Sequence, residues 1–249
     1  MIKALIITGD GVNCEKETAY AFELAQAQTK TVHIGDLLEN PKLLQKFQLL
    51  AIPGGFSFGD DLGSGKILAL KMKCYLADQL QEFKQKGKPI IGICNGFQVL
   101  AKLGLLEEEI NERTFTLAQN DHGKFNNSWV GLSKVPNSNS IWLKNINDFE
   151  LPMRHGEGRV AFRPGQELDS YNRFKENHQV ALVYKNDVNG SYQKIAALSD
   201  PSGLILGIMP HPEAAIHHYL FPHQAISNDT RAPGLTIFDN GVNFVKDFL

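Results

Sequence analysis

Cysteine and tryptophan are scarce in this chain, with three and two residues in 249. So few thiols exclude a disulfide framework and fit a reducing compartment. There is no apolar run of about 18 residues, so no membrane-spanning helix is expected. There is also no basic leader followed by an apolar stretch, and a cytoplasmic protein is expected. Lysine plus arginine (25) nearly balance aspartate plus glutamate (27). No dense cationic cluster marks a nucleic-acid surface. Neither Gly9-Asp-Gly11 nor Gly63-Ser-Gly65 completes a dinucleotide or Walker fingerprint. No linker, repeat or low-complexity segment divides the chain. What is present is apolar: 43% of residues are hydrophobic, enough for one large domain over 1–249.

The first half alternates strand and helix patterns. Lys3–Thr8, Thr31–Ile34, Gln48–Ile52 and Lys88–Cys94 read as strands. Lys16–Ala27 reads as a helix, and so does Ile67–Lys86, with Leu68, Met72, Tyr75, Leu76, Leu80 and Phe83 on one stripe. This alternation predicts an α/β fold with a mostly parallel twisted sheet and helices on both faces. From Arg113 onward the runs are short and β-like: Arg113–Ala118, Ser128–Lys134, Met153–His155, Val160–Phe162, Gln179–Tyr184, Lys194–Leu198 and Leu204–Met209. Asn189-Gly190 reads as a hairpin turn. These runs are expected to extend the same sheet with antiparallel strands. A last helix is expected over Ile237–Phe248.

The chemistry centres on Gly92-Ile-Cys94-Asn-Gly96, which follows an apolar strand and opens a helical pattern. That is a nucleophile elbow with a thiol in place of serine. Its glycines leave room for a sharp turn, and the sulfur falls at a helix N-terminus, which favours the thiolate. Far downstream, Met209-Pro-His211-Pro-Glu213 places an imidazole and a carboxylate two residues apart, so in an extended segment both face the same way. A thiol, an imidazole and an orienting carboxylate form a catalytic set for acyl transfer. Leu49–Ile52 runs into Pro53-Gly54-Gly55, where backbone N–H groups together with that of Asn95 could form an oxyanion hole. An ordinary turn after a strand also favours Pro-Gly-Gly.

Four runs in this order, Pro53-Gly-Gly-Phe-Ser-Phe-Gly-Asp60, Gly92-Ile-Cys-Asn-Gly-Phe-Gln98, His155-Gly-Glu-Gly-Arg159 and Met209-Pro-His-Pro-Glu213, resemble the class I glutamine amidotransferases. Within that family they resemble the glutaminase subunits of phosphoribosylformylglycinamidine synthase. The resemblance covers nearly the whole chain. It implies a flavodoxin-like fold and hydrolysis of glutamine through a thioester on Cys94, with His211 and Glu213 completing the triad. It further implies that Gln98 and Asn120, with Asp121 and Phe125 nearby, lie at the glutamine pocket. His155–Arg159 would position or dock. No cofactor is implied for this chain. ATP and magnesium would serve a separate synthetase, with a small third subunit, which would take ammonia to formylglycinamide ribonucleotide in purine biosynthesis.

Several positions depart from the family pattern. Asp61 and Gly63-Ser64 stand where an aromatic and an arginine are usual, and Ala214 stands where arginine is common. Cys14 and Cys74 read as structural. His217, His218 and His223 lack companions that would complete a metal site. Residues 57–66 and 214–234 read as loops that a partner could order. Two rivals remain. A DJ-1-superfamily cysteine hydrolase usually has His directly after the elbow cysteine, whereas this chain has Asn95. A non-catalytic subunit of the same fold would not need Cys94, His211 and Glu213.

Overall fold

A computed structural model of the chain describes residues 1–108, 113–222 and 231–248. The first half builds β1 (Lys3–Thr8), α1 (Glu15–Leu24), β2 (Gln28–His33), α2 (Ile34–Glu39), β3 (Leu49–Ile52), α3 (Lys66–Gln85), β4 (Ile90–Ile93) and α4 (Asn95–Leu103). The second half builds β5 (Phe115–Gln119), β6 (Asn126–Lys134), β7 (Phe149–His155), β8 (Glu157–Phe162), α5 (Glu167–Glu176), β9 (Val180–Tyr184), β10 (Ile195–Ser199), β11 (Ile205–Ile208) and α6 (Pro233–Phe248).

Among the described residues, nine strands form one sheet in the order β2-β1-β3-β4-β11-β10-β9-β6-β7. The first five are parallel and the remaining four are antiparallel, so both halves of the chain share the sheet. β3, β4, β10 and β11 are buried at every position, so both faces of the sheet centre are covered, as parallel strands require. α1 packs on α6, and α3 packs on α4.

The long helix α3 shows the physics. Leu68, Met72, Leu76 and Leu80 recur every four residues and are buried with Phe83. Each such side chain contributes about 1.5–3 kcal/mol on full burial. Tyr75 stands 61% exposed beside that stripe, and Cys74 is exposed too, against expectation. Tyr75, one residue from Leu76, lies about 100° off the stripe, and Cys74, two residues from both Met72 and Leu76, lies about 200° away on the opposite face.

The other departures are local. β5 and β8 pair in a separate two-stranded sheet instead of extending the main one. α2 and α5 lie where no helix was expected: one has only six residues, and the other carries only Ser170 and Phe174 inward, too weak a pattern to read. β9 and β10 pair as antiparallel neighbours, but Asn189-Gly190 sits inside a longer connection. Gly190 has φ +75°, which explains the glycine. No described helix is long and apolar enough to cross a membrane.

Candidate functional site

The parallel strands end at one edge, and the site forms there. The Cys94 N–H donates to the carbonyl of Ile208 at 2.8 Å, which continues the pairing of β4 with β11 to the very end of the strand. The chain then turns into α4 within a single residue. Cys94 takes φ 51°, ψ −104°, a conformation that L-residues rarely adopt. Such a residue stores on the order of 1–3 kcal/mol that the surrounding fold must hold in place. The constraint is visible at Gly96, where a Cβ would stand 1.8 Å from the carbonyl oxygen of Ile52. α4 therefore abuts the end of β3, and only glycine fits there. The Cys94 thiol donates to the carbonyl of Arg154 at 3.7 Å.

His211 enters from the loop after β11. Its N–H donates to the carbonyl of Pro152 at 2.8 Å. β7 thus holds two partners of the site through its backbone: the thiol at Arg154 and the His211 main chain at Pro152. His211 Nδ1 lies 2.5 Å from Glu213 Oε1, and both side chains are buried. Burial opposes the charged imidazole, but the carboxylate of Glu213, followed by Cys94, holds its pKa well above 6.5. With Nδ1 engaged, Nε2 has no close hydrogen-bond partner among the described residues and faces the thiols of Cys94 and Cys14.

Gly54 marks where these groups meet. A Cβ there would stand 2.9 Å from His211 Cε1, 3.3 Å from Cys14 Sγ and 3.5 Å from Cys94 Cβ. Gly55 lies beside it in an isolated bridge to Val12, made by the N–H groups of Asn13 and Phe56. That bridge does not use the Gly55 N–H. The Asn95 N–H opens α4, one of the first-turn donors with no partner inside the helix.

The pocket over Cys94 holds about 160 Å³ and is lined by Cys14, Gly55, Phe56, Gln98, Phe125 and His211 among others. Phe56 and Phe125 are half exposed, with ring centroids 6.5 Å apart. A larger cleft of about 630 Å³ lies on the far side of Glu157 and includes none of Cys94, His211 or Glu213.

The remaining candidate residues act through backbone and loops. Gln98 is buried, accepts from Asn95 Nδ2 at 2.9 Å, and donates in a very short bond to the carbonyl of Glu157. Asn95 Oδ1 accepts from the Ser57 N–H, and its Nδ2 also reaches Asp60 at 3.2 Å. Both amides therefore tie α4 to the 57–65 loop and to β8. Asp60 also accepts from Ser64 Oγ and the Gly65 N–H, so that loop is internally bonded. Asn120 does not line the pocket. Its Nδ2 donates to the carbonyls of Lys124 and His155, and its Oδ1 sits 3.0 Å from His155 Nδ1. Asp121 likewise lies away from the pocket lining, while Phe125 belongs to it. Burial, with the positive charge of His211 adding to it, lowers the pKa of His155 to about 4, so its ring is neutral near pH 7.

Cys14 corrects an expectation. It caps α1 at the turn after β1, where it was read as structural, yet it lines the pocket beside His211. Burial pushes its thiol pKa up. No spacing in the sequence links Cys14 to residues so far downstream. The role of β7 was also missed, because it acts through carbonyl groups that every residue carries. His217 stacks on Tyr219 at 5.0 Å and joins no metal-ligand group among the described residues. His223 lies outside the described residues, as does part of the 214–234 loop.

The profile of the CobB/CobQ-like glutamine amidotransferase domain matches residues 1–245. The chain belongs to that family. Its similarity to individual amidotransferases extends over the full length. It is 38% identical to phosphoribosylformylglycinamidine synthase subunit PurQ of Dehalococcoides mccartyi, over 98% of each chain. It is 33% identical to the protein of the same name from Thermotoga maritima, again over 98% of each. A chain of the solved PurLQS structure from Thermotoga maritima superposes with a TM-score of 0.75 at 29% identity, covering 98% of this chain and 99% of that one. The amidotransferase fold expected from the sequence is thus the one found.

Proposed function

We propose that this chain is the glutaminase subunit of a phosphoribosylformylglycinamidine synthase, acting in the cytoplasm in purine biosynthesis. The observation that carries the reading is Cys94, held at positive φ at the end of β4 and facing an imidazole that Glu213 orients. The relatives named PurQ supply the pathway.

In this reading Cys94 passes its thiol proton to His211 Nε2, and the thiolate attacks the side-chain amide carbon of glutamine. An S–C bond forms, and the carbonyl electron pair moves onto oxygen. The N–H groups of Gly55 and Asn95 hold that oxyanion, with Gly54 shaping the turn; one such donor is typically worth ~10²–10³ in rate. Collapse breaks the C–N bond while His211 Nε2 gives its proton to the departing ammonia. The neutral imidazole then draws a proton from water, which attacks the γ-glutamyl thioester and releases glutamate and the thiol. Gln98 and Asn120 support the pocket walls, through α4 and His155 respectively.

The chain itself uses no cofactor. A synthetase partner, assisted by a small third subunit, uses ATP and magnesium to pass the ammonia into formylglycinamide ribonucleotide. The Thermotoga maritima assembly named PurLQS is the precedent for such a complex. The relatives do not favour a DJ-1-type hydrolase or a subunit without activity.

The test is nitrogen-donor exchange in the reconstituted complex. Cys94→Ala should abolish glutamine-dependent product formation and leave ammonia-dependent formation near the wild-type level. Loss of both activities, or retention of the glutamine-dependent one, contradicts the division of labour.

A further inference from the structure

Catalysis by a cysteine–histidine–glutamate set needs one thiol, and this pocket has two. Cys14 Sγ, a His211 ring nitrogen and a Glu213 carboxylate oxygen all lie within 4.8 Å of one another. Cys94 stands outside that group, but its side chain, like that of Cys14, engages the His211 ring, and its Cβ comes within 3.5 Å of a Cβ placed at Gly54, beside Cys14 Sγ and His211 Cε1. Among the described residues the buried Nε2 of His211 makes no hydrogen bond of normal length, and the thiols of Cys14 and Cys94 are the ring's neighbours. Glu213 is bound to the opposite ring nitrogen.

This donor set is that of a zinc site. Zinc takes thiolate sulfur at about 2.3 Å and imidazole nitrogen at about 2.0–2.1 Å, so two ligands of one ion stand roughly 3–4.5 Å apart. Two cysteines and one histidine, with a fourth position left open, is a known catalytic zinc arrangement. A histidine that ligates zinc usually gives its other N–H to a carboxylate, which fixes the tautomer. Glu213 already stands in that position. Cys14 lies at the start of α1; burial raises its thiol pKa, so it is the bound cation that displaces its proton.

We propose that the pocket captures one thiophilic divalent cation, zinc or a metal of similar softness, through Cys14 Sγ, Cys94 Sγ and His211 Nε2, and that the captured ion blocks glutamine hydrolysis. This rests on the glutaminase reading only for the inhibition, not for the binding. Binding converts two thiols to thiolates and leaves the imidazole neutral at Nε2. The displaced protons pass to buffer, and no oxidant or reductant takes part. The ion occupies both the nucleophile and its base, so the enzyme is silent until the metal is withdrawn. Cys14 is then the residue that turns a catalytic pair into a metal trap.

The test is titration of the reduced chain with Co²⁺, in a phosphine reductant so that no disulfide can form. One equivalent should produce a thiolate-to-cobalt charge-transfer band in the near ultraviolet, and Zn²⁺ should bleach it. Cys14→Ala and Cys94→Ala should each weaken binding by at least about tenfold, given that loss of even an orienting partner typically costs 10–100-fold. In the reconstituted complex, Zn²⁺ should stop glutamine hydrolysis and a chelator should restore it. The Cys14→Ala complex, compared with its own metal-free rate, should need at least about tenfold more Zn²⁺. Should Cys14→Ala fail to fold by circular dichroism, Cys14→Ser serves in both arms. The proposal is overturned by the absence of a thiolate band, or by Zn²⁺ sensitivity in the Cys14 variant equal to wild type. The spectral arm decides the metal site even if no glutamine is turned over.

Discussion

Glu213 makes the smallest feature of the site that can be tested alone. Among the described residues its carboxylate pairs with His211 Nδ1 at 2.5 Å, and it is the leading influence that raises the imidazole pKa against burial. Glu213→Gln keeps the shape and removes the charge. We expect kcat for glutamine to fall by about 10²–10⁴, the usual range for an acid–base group. The linkage has a definite sign. Because the folded His211 pKa is raised, the pair's contribution to stability is complete below about pH 6.5, the free imidazole value, and is lost as pH rises through the folded value. Wild-type stability should therefore decline as the solution is made alkaline, and Glu213→Gln should flatten that decline. Denaturant melts at several pH values read the slope, and unchanged slopes contradict the pairing. The meeting of Cys94, His211 and Glu213 was legible in the sequence because each lies in a short motif whose spacing bears on its chemistry. Cys14 was not, because its proximity to His211 is created only by the β1–α1 turn meeting the Pro53–Gly55 loop.

At the scale of elements, the site depends on how closely α4 approaches the ends of β3 and β4. Gly96 has no room for a methyl group, since the Ile52 carbonyl oxygen would be 1.8 Å away, and the obstacle is backbone. Gly96→Ala must push α4 off the sheet or open the elbow. We expect it to destabilise the chain by about 1–3 kcal/mol, the typical cost of overpacking, and to lower activity more than that loss of folded protein explains. Thermal melts together with activity per folded molecule measure the two effects. A variant with wild-type melting and turnover contradicts the claim that this approach builds the site. The strands and helices around the elbow were readable because apolar runs and a four-residue stripe announce them. α2 was not, being too short, and neither was the pairing of β5 with β8, which depends on a contact between distant segments that alternation cannot specify.

At the scale of the whole molecule, one sheet carries both halves of the chain, and the proposed catalytic groups come one from the first half and two from the second. β4 delivers Cys94, the loop after β11 delivers His211 and Glu213, and adjacency of β4 and β11 brings them together. β7, the far edge of that sheet, then reaches back over the site with the carbonyls of Pro152 and Arg154. The amidotransferase architecture was legible from motif order, whereas the hold of β7 was not, because a carbonyl leaves no trace in residue type. The central claim is that Cys94, and not the nearby Cys14, carries the acyl group. The direct measurement is mass spectrometry of the complex quenched in acid during glutamine turnover, followed by peptide mapping. The account predicts a γ-glutamyl adduct on the peptide containing Cys94, absent from the Cys94→Ala complex. An adduct on the peptide containing Cys14 in the wild type would contradict it.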